Sequence, residues 1–325
     1  MKIKDKGKIK RVLFITLSNI GDIILTTPIL AVLKKEFPQA NIDVISGPSG
    51  KEIFLGHPFV SVLVVYDKFS KLQSKRQLVK NLRNNKYDLI CDLRNSLFPF
   101  LIGARYRTSL IRKWPSGLRH KRDEHILKLK EIGLDVTHAP FSFHIDAKDQ
   151  TFVNETLSDM GIKKDFVVVS PGAKSHIKRW NRRGFALICD RLINEVNMDV
   201  IMVGDVQDKE IVSKITAHMK KKARDLTAKL TLRQLGALIR SSRLLITNDS
   251  APLHVGSAVG ARVLAIFGPT DPRKYGPTGK HDTVIRKKLK CAPCEVAQCK
   301  ENHECMNLID PNTVFDTAKK MLTDI

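Results

Sequence analysis

Short apolar runs along the chain alternate with longer segments in which apolar residues recur at helical spacing. The first run is RVLFIT, residues 11–16, and after NIGD the segment IILTTPILAVLKKEF, residues 23–37, repeats its apolar residues at helical intervals. Short apolar runs predict buried strands, and the helical spacing predicts helices that cover them. Their regular alternation predicts a parallel sheet with helices on both faces.

The alternation occurs twice along the chain. The further strands that it predicts are NIDVIS, SVLVVYD and YDLICDL in the first half and FVVVSPG, DVIMVGD, RLLITND and RVLAIFG in the second. A chain of 325 residues is long enough for two domains. We therefore predict an α/β protein with two doubly wound domains, residues 1–150 and 151–325, whose boundary falls near residues 145–160. In such sheets ligands bind at the carboxyl ends of the strands.

Polar side chains are densest in TNDSAPLHVGSAVGARVLAIFGPTDP, residues 247–272. Asn248, Asp249 and Ser250 follow a predicted strand and precede a short helix rich in small residues. One interpretation is a well-capped helix, but a cap needs only one of the three and leaves His254 unexplained. The other is a phosphate site, because free amides and the positive end of the helix dipole meet there. The FGPTDP loop lies at the same edge of the sheet, which favours a binding pocket.

Two further loops carry charged residues after predicted strands. In SPGAKSHIKRW, Lys178 stands with Lys174, Ser175 and Arg179 in a glycine-containing loop, which indicates an anion site. Asp22 follows the first strand and precedes a helix, so it is either a general base or a helix N-cap. The sequence contains neither Gly-x-Gly-x-x-Gly nor Gly-x-x-x-x-Gly-Lys, so a dehydrogenase or a P-loop kinase lacks its main signature.

The combination of these motifs closely resembles glycosyltransferase family 9, the lipopolysaccharide heptosyltransferases. The resemblance rests on LSNIGDIILTTPIL, SPGAKSHIKRWNRRGFALICDRL, NDSAPLH, FGPTDP and CAPCEVAQCKENHECMNLIDPNTV, in that order over nearly the whole chain. It implies a GT-B fold, with two Rossmann-like domains facing a central cleft, the acceptor on the first and the nucleotide-sugar on the second. It also implies inverting, metal-independent transfer. The chain departs from the family pattern at Ala251, where glycine is usual, and at Asn181, where proline is common.

The resemblance and the chemistry of inverting transfer give single residues expected roles. Such transfer needs a base for the acceptor hydroxyl and groups that stabilise the departing diphosphate. Asp22 is the candidate base, and Lys178 is the candidate cation at the diphosphate. The other donor-binding candidates are Asn248, Asp249, Ser250, Ala251, His254 and Asp208, the last at the nucleoside ribose. Arg94, Arg105 and Arg107 are candidates for binding an anionic acceptor.

The charge balance narrows the class of partner. There are 56 Lys and Arg residues against 33 Asp and Glu residues, a formal net charge of +23. Clusters such as Lys68–Lys86 and Arg105–Lys113 favour an anionic partner. We expect a phosphorylated glycolipid acceptor and the anionic inner face of the cytoplasmic membrane. A nucleic-acid-binding module is the alternative from another class, but it rests on charge alone, because aromatic residues make up only 6% of the chain.

The leading interpretation is transfer of a heptose from ADP-heptose to a lipopolysaccharide inner-core acceptor. The alternative among enzymes is a related transferase that uses another nucleotide-sugar for a different surface glycan. No apolar run is long enough to span a bilayer, so we expect a cytoplasmic protein that binds the membrane peripherally. We also expect a monomer. No Asp-x-Asp pair occurs in the sequence, so an obvious metal-bridging motif is missing and we expect no catalytic metal or required cofactor.

The six cysteines fall into two groups. Cys91 and Cys189 lie in apolar runs and are expected to be packing residues. The other four are closely spaced in one segment, Cys291, Cys294, Cys299 and Cys305. In a reducing compartment such spacing indicates either a structural metal site or thiols that shape an irregular loop.

Overall fold

Contacts divide the chain into two α/β units, Met1–His144 and Ile145–Ile325. The computed structural model describes residues 2–67, 69–110, 117, 119–162 and 165–324. Lys68 and residues 111–113, which belong to two of the predicted basic clusters, lie outside the described residues. The predicted boundary at residue 150 falls inside a helix, Ala147–Asp159, that belongs wholly to the second unit.

The first unit is built on a five-stranded parallel sheet with strand order β3-β2-β1-β4-β5. Its strands are β1 (Arg11–Ile15), β2 (Asn41–Ser46), β3 (Val62–Val65), β4 (Leu89–Asp92) and β5 (Tyr106–Arg107). Its helices are α1 (Ile20–Glu36), α2 (Lys51–Phe54), α3 (Leu72–Asn84), α4 (Phe98–Ile102) and α5 (Lys121–Glu131). The central strands β1 and β4 are almost entirely buried, as expected for a parallel sheet covered on both faces.

The second unit contains a six-stranded parallel sheet with strand order β11-β10-β9-β6-β7-β8. Its strands are β6 (Phe166–Ser170), β7 (Asp199–Met202), β8 (Arg224–Asp225), β9 (Leu244–Asn248), β10 (Val263–Phe267) and β11 (Thr283–Arg286). Its helices are α6 (Ala147–Asp159), α7 (Arg182–Glu195), α8 (Lys209–Thr216), α9 (Leu232–Ser241), α10 (Ala251–Val259), α11 (Pro272–Tyr275), α12 (Glu304–Asn307) and α13 (Pro311–Thr323).

In both sheets the order in which the chain adds strands reverses at the centre. The first strand of each unit, β1 or β6, pairs on one side with the second strand and on the other with the fourth, β4 or β9. This is the switch point at which doubly wound sheets bind ligands, beyond the carboxyl ends of the strands. The predicted fold class, two Rossmann-like α/β units, is therefore confirmed.

The start of α1 differs from the sequence-based expectation. The prediction that the helix begins after Asp22 is wrong, because α1 begins at Ile20 with Asn19 as the extended N-cap residue. Gly21 is tolerated in the first turn, and Asp22 therefore lies inside that turn. None of the helices among the described residues is both long enough and apolar enough to cross a membrane.

Candidate active site

The loops that follow β6 and β9 meet at the switch point of the second unit. Lys178 ends a single 3-10 turn, His176–Lys178, in the loop after β6. Asp249 follows β9 directly and precedes α10. Because β6 and β9 are hydrogen-bonded neighbours in a parallel sheet, their carboxyl ends bring the two side chains together. The sequence predicted this proximity from the order of strands and loops.

One carboxylate oxygen joins three loops. Oδ2 of Asp249 lies 2.7 Å from Nζ of Lys178 and accepts a hydrogen bond of 2.6 Å from Oγ1 of Thr270. Asp249 and Thr270 are buried, whereas the Lys178 side chain keeps 29% of its surface exposed. Thr270 lies in the FGPTDP loop after β10 and was not singled out from the sequence, although its loop was. The ammonium group is therefore held at a fixed place and is still open to a ligand.

Asn248 ties the loop after β6 to the end of β9. Its Oδ1 accepts a hydrogen bond of 3.2 Å from the Trp180 amide, and its Nδ2 donates one of 2.7 Å to the Pro171 carbonyl. The Trp180 indole packs over Gly184, where an added Cβ would lie 2.6 Å from a ring carbon. Asn248 is fully buried, so in the structure it anchors the loop that carries Lys178.

The amino end of α10 opens at the same point. Ser250 is its N-cap residue, but its hydroxyl lies 3.2 Å from the Thr247 hydroxyl and makes no side-chain cap bond. Capping by Ser250 therefore does not account for this segment. Pro252 has no amide hydrogen and the Leu253 amide donates to the Ser250 carbonyl at 3.2 Å, so the Ala251 amide and the positive end of the helix dipole are what this end offers an anion. Ala251 begins the helix, and His254 is buried one turn into it.

Asp208 lies beside the loop that follows β6 and carries Lys178. It belongs to a short turn after β7 that leads into α8. Its carboxylate accepts a hydrogen bond of 3.1 Å from the Asp205 amide and packs against Gly172, where a Cβ would lie 2.2 Å from it. Burial raises the pKa of the Asp208 carboxyl group, while the hydrogen bond from Asp205 and the nearby Arg179 guanidinium act in the opposite direction. Asp208 thus joins the ends of β6 and β7, next to the loop of Lys178.

The cysteine segment braces the FGPTDP loop. The amides of Cys294 and Glu295 donate hydrogen bonds of 2.9 Å to the Pro269 carbonyl. Cys305 is buried, and an added Cβ at Gly268 would lie 3.0 Å from its Sγ. Burial raises the pKa of the Cys305 thiol, so it is protonated near neutral pH. These contacts favour the interpretation in which thiols shape a loop.

The described residues contain no group of three or more His, Cys, Asp and Glu side chains that is arranged to hold a metal ion. The cysteine segment, residues 291–305, is fully described, so its four thiols do not form such a group in this arrangement. A structural metal at these cysteines stays a prediction. Cys91 and Cys189 are buried, in accordance with their prediction as packing residues.

In the first unit, Asp22 lies at the carboxyl end of β1, next to the switch point between β1 and β4. It is partly exposed, and its Oδ2 accepts a hydrogen bond of 3.0 Å from Nδ2 of Asn19. His125 on α5, the helix that packs against α1, is close enough for its pKa to respond to Asp22. Burial lowers the pKa of His125 to about 4, and Asp22 acts in the opposite direction. Asp22 therefore has a neutral imidazole nearby, which the sequence did not indicate.

The three predicted acceptor-binding arginines occupy different settings. Arg94 is half-buried, and its Nε donates to the Thr16 carbonyl at 2.6 Å and its Nη2 to the Leu17 carbonyl at 3.2 Å. Burial lowers the pKa of Arg94. Arg94 thus holds the loop between β1 and α1. Arg105 and Arg107 are exposed, and the Arg107 guanidinium lies 4.2 Å from the centre of the Phe100 ring.

A buried lysine on α5, Lys128, supports the end of β4. Nζ of Lys128 donates to the Asp92 carbonyl at 3.0 Å and to the Asn95 side-chain oxygen. The Asp92 carboxylate in turn accepts hydrogen bonds from the amide and hydroxyl of Ser96 at 2.7 and 2.8 Å. Burial lowers the pKa of Lys128. Nothing in the sequence indicated a role for this lysine, which lies in a helix whose apolar pattern is weak.

Comparison with known proteins decides the family. The family model of glycosyltransferase family 9 (heptosyltransferase) matches residues 75–304, which is more than half of the chain. The chain belongs to glycosyltransferase family 9. A lipopolysaccharide heptosyltransferase 3 from Escherichia coli is 30% identical to it over 278 residues, 77% of this chain and 81% of the relative. A lipooligosaccharide heptosyltransferase 2 from Campylobacter jejuni is 26% identical over 316 residues, 93% of this chain and 95% of the relative.

Solved structures agree with this family 9 assignment. A family 9 glycosyl transferase from Veillonella parvula superimposes with a TM-score of 0.84 and 25% identity, covering 99% of both chains. The E. coli ADP-heptose lps heptosyltransferase II has a TM-score of 0.80 and 22% identity, covering 96% of this chain and 98% of its own. The GT-B fold and the glycosyltransferase class are therefore confirmed for this family 9 protein, and the nucleic-acid-binding alternative is not the function class.

Proposed function

We propose that this family 9 glycosyltransferase transfers a heptose from ADP-heptose to a lipopolysaccharide inner-core acceptor with inversion at the anomeric carbon. An acceptor hydroxyl oxygen forms the new bond to the anomeric carbon as the bond from that carbon to the ADP oxygen breaks. The hydroxyl proton passes to the Asp22 carboxylate, and the electron pair of the broken bond leaves on ADP. The relatives support this assignment, since one is named ADP-heptose lps heptosyltransferase II and others are lipopolysaccharide heptosyltransferases.

The observation that carries the proposal is the position of Lys178 beside Asp249 at the amino end of α10. The departing diphosphate gains negative charge, and a preformed cation with helix amides stabilises that charge without reorganisation. Lys178 supplies the cation and α10 supplies the Ala251 amide and the positive end of its dipole, so the transfer needs no metal. Asn248 holds the loop of Lys178, Ser250, Ala251 and His254 line the helix start, and Asp249 contacts the sugar hydroxyls. Asp208 lies next to this loop and takes the ribose.

The variant Asp22→Asn tests the role of Asp22. Without a general base the turnover number should fall about 100- to 10,000-fold, whereas the dissociation constant of the donor should stay within about twofold. Asn19→Ala is the matched control, because it removes only the hydrogen bond to Asp22 and should have a much smaller effect. Near-normal turnover of Asp22→Asn would remove this carboxylate from the mechanism.

The identity of the donor is tested by titration. ADP-heptose, other ADP-sugars and UDP-sugars are compared by calorimetry with the purified protein, and transfer is then measured with those that bind. We expect ADP-heptose to bind most tightly. Tighter binding and faster transfer of another nucleotide-sugar would favour the related transferase for a different surface glycan.

We also infer that the enzyme acts in the cytoplasm as a monomer, at the inner face of the cytoplasmic membrane. A water-soluble nucleotide-sugar has to meet an acceptor whose lipid part lies in the membrane. The net charge of +23 supports attraction to an anionic surface. Binding to anionic vesicles that weakens as salt rises would support this inference.

A further inference from the structure

Large apolar side chains are exposed together at one edge of the first unit. Phe69 is 83% exposed, Leu97 66% and Leu72 63%, and about half of the surface of Phe100 and Leu101 is exposed. We call these five residues the apolar rim. Exposed apolar groups of this size cost free energy in water and commonly mark a surface that contacts another body. None of them takes part in the site described above.

The topology of the sheet places the apolar rim at a single edge. Phe69 lies between β3 and α3, and Leu72 begins α3. Leu97 precedes α4, which follows β4 and contains Phe100 and Leu101. Strands β3 and β4 run parallel in one sheet, so both of these connections leave from its carboxyl edge. Helices α3 and α4 also pack against each other, and the rings of Tyr66 and Phe98 meet edge to face between them at 5.5 Å.

A row of cations continues from the apolar rim along α3. Arg76, Lys80 and Arg83 follow Leu72 at helical intervals and therefore share one face of the helix. We call these three residues the basic stripe. They are exposed and line one depression on the surface. Helix α3 contains no acidic residue, and among the described residues no carboxylate forms an ion pair with the basic stripe.

A cation, Arg107, also contacts the apolar rim directly. The Arg107 guanidinium lies 4.2 Å from the centre of the exposed Phe100 ring. Such a contact keeps a positive charge at the level of the ring while the ring edge stays open. Phenyl and leucyl side chains beside fixed cations match a bilayer surface, where acyl chains lie a few ångströms below anionic phosphates.

We propose that the apolar rim inserts into an anionic lipid surface and that the basic stripe binds its headgroup phosphates. A second copy of this chain fits the same surface poorly, because a symmetric contact would place the two basic stripes against each other. Nucleic acid also fits poorly, because three of the five residues of the apolar rim are leucines, which offer no stacking face to bases. The proposal deepens the proposed function, since it rests on an acceptor held in a membrane.

The test is co-sedimentation of the full-length protein, without donor, with vesicles of phosphatidylcholine alone or of equal parts phosphatidylcholine and phosphatidylglycerol. The rim variant combines Phe69→Ser, Leu97→Ser and Leu101→Ser, and keeps Phe100, on which Arg107 packs. Its control combines Phe152→Ser, Leu187→Ser and Leu308→Ser, which removes the same side-chain types from exposed positions of the second unit. We expect the rim variant to lose about tenfold in partition into the mixed vesicles and its control to change less than about twofold.

The stripe variant combines Arg76→Gln, Lys80→Gln and Arg83→Gln. Its control removes the same charge from exposed positions of the second unit through Lys221→Gln, Lys222→Gln and Lys288→Gln. At low salt we expect about a 100-fold loss for the stripe variant, shrinking as salt screens the charges, and a much smaller loss for its control. Wild-type binding that is equal for both vesicle types, or stripe and rim variants that bind like wild type, would overturn the proposal.

Two further measurements separate the other occupants and the proposed function. If light scattering shows a wild-type dimer that the rim variant abolishes, the surface is a self-interface and the proposal is wrong. Transfer to a water-soluble acceptor fragment should be unchanged in the rim variant, while transfer to acceptor in vesicles should fall about tenfold. If wild type binds mixed vesicles as expected but transfers no heptose to either acceptor, the proposed function fails and the membrane surface stands.

Discussion

A single carboxylate, that of Asp249, organises the residues to which we assign donor binding. It fixes Lys178 at 2.7 Å and is itself fixed by Thr270 at 2.6 Å. Because Asp249 is buried, water screens its attraction to Lys178 less than it screens a surface ion pair. The position of the cation is thus set by three different loops of the second unit.

Removal of the cation should affect binding and turnover together. In Lys178→Ala, a contact that exists in the ground state and strengthens in the transition state is lost, so KM for the donor rises and kcat falls. We expect kcat/KM to fall about 100-fold or more. The exposed neighbour Arg182 gives the control, because Arg182→Ala should stay within a few fold of wild type. Wild-type values of KM and kcat in Lys178→Ala would place the diphosphate elsewhere.

Arg94 offers a test between two roles. Its two hydrogen bonds to the Thr16 and Leu17 carbonyls hold the loop that leads to Asp22, and lysine cannot make both of them in the same geometry. As a positioning residue, Arg94→Lys should lower kcat about tenfold and leave KM for the acceptor unchanged. An increase in KM for the acceptor at constant kcat would instead support direct acceptor binding.

At the scale of elements, the neutral side chain of His57 holds the segment that follows α5 through its contact with Ser142. Nδ1 of the buried His57 accepts a hydrogen bond of 3.1 Å from the Phe59 amide, and its Nε2 lies 3.0 Å from the Ser142 hydroxyl. Burial lowers the pKa of His57 to about 4, with the nearby His144 acting in the same direction. Protonation of Nδ1 would remove the lone pair that accepts the hydrogen bond from the Phe59 amide.

This histidine should make the first unit less stable in acid. Its pKa is 6.5 in the unfolded chain and about 4 in the folded one, so the unfolded state binds more protons between these values. The contribution is complete above pH 6.5 and is lost as the pH falls toward 4, by up to roughly 3 kcal/mol. Hydrogen exchange of the β2 amides should show a weaker pH dependence in His57→Gln than in wild type. The exposed His138→Gln should behave like wild type, and equal pH dependence in all three would contradict the assignment.

The strands that the sequence predicted most directly are those that are buried on both faces of a sheet. Runs such as Val167–Val169 are buried on both sides, so composition alone identifies a strand. Helix α5 was not predicted, because it buries Lys128 among apolar neighbours and its pattern is set by the hydrogen bonds of that lysine. The two-residue strands β5 and β8 are held by their neighbours in the sheet and have no pattern of their own.

The candidate site was predictable to a similar extent. Asn248, Asp249 and Lys178 follow strands, so the order of strands and loops brought them together. The partners Thr270 and His125 lie near their targets only through tertiary packing, which a single sequence does not record. The contact of Arg94 with the Thr16 carbonyl was missed for the same reason, because it joins two loops that are 78 residues apart.

At the scale of the whole molecule, the chain supplies its own excess of positive charge, with a formal net charge of +23. With 56 basic against 33 acidic residues and no Asp-x-Asp pair, we expect transfer to proceed without a divalent cation. Initial rates measured with and without excess EDTA should agree within about twofold. A complete loss that magnesium or manganese restores would contradict this expectation. A slow loss restored by zinc would instead locate a metal at the cysteine segment.

The ion pair between Lys178 and Asp249 also has a consequence for competition by simple salts. Chloride that approached the ammonium group would compete with a carboxylate that is already bound, buried and held by Thr270. A monovalent anion offers no more charge than that carboxylate, so it gains little by replacing it. A diphosphate carries several charges and also reaches the positive amino end of α10. Asp249 thus acts as an intramolecular competitor of monovalent anions such as chloride, and the site should favour anions of higher charge.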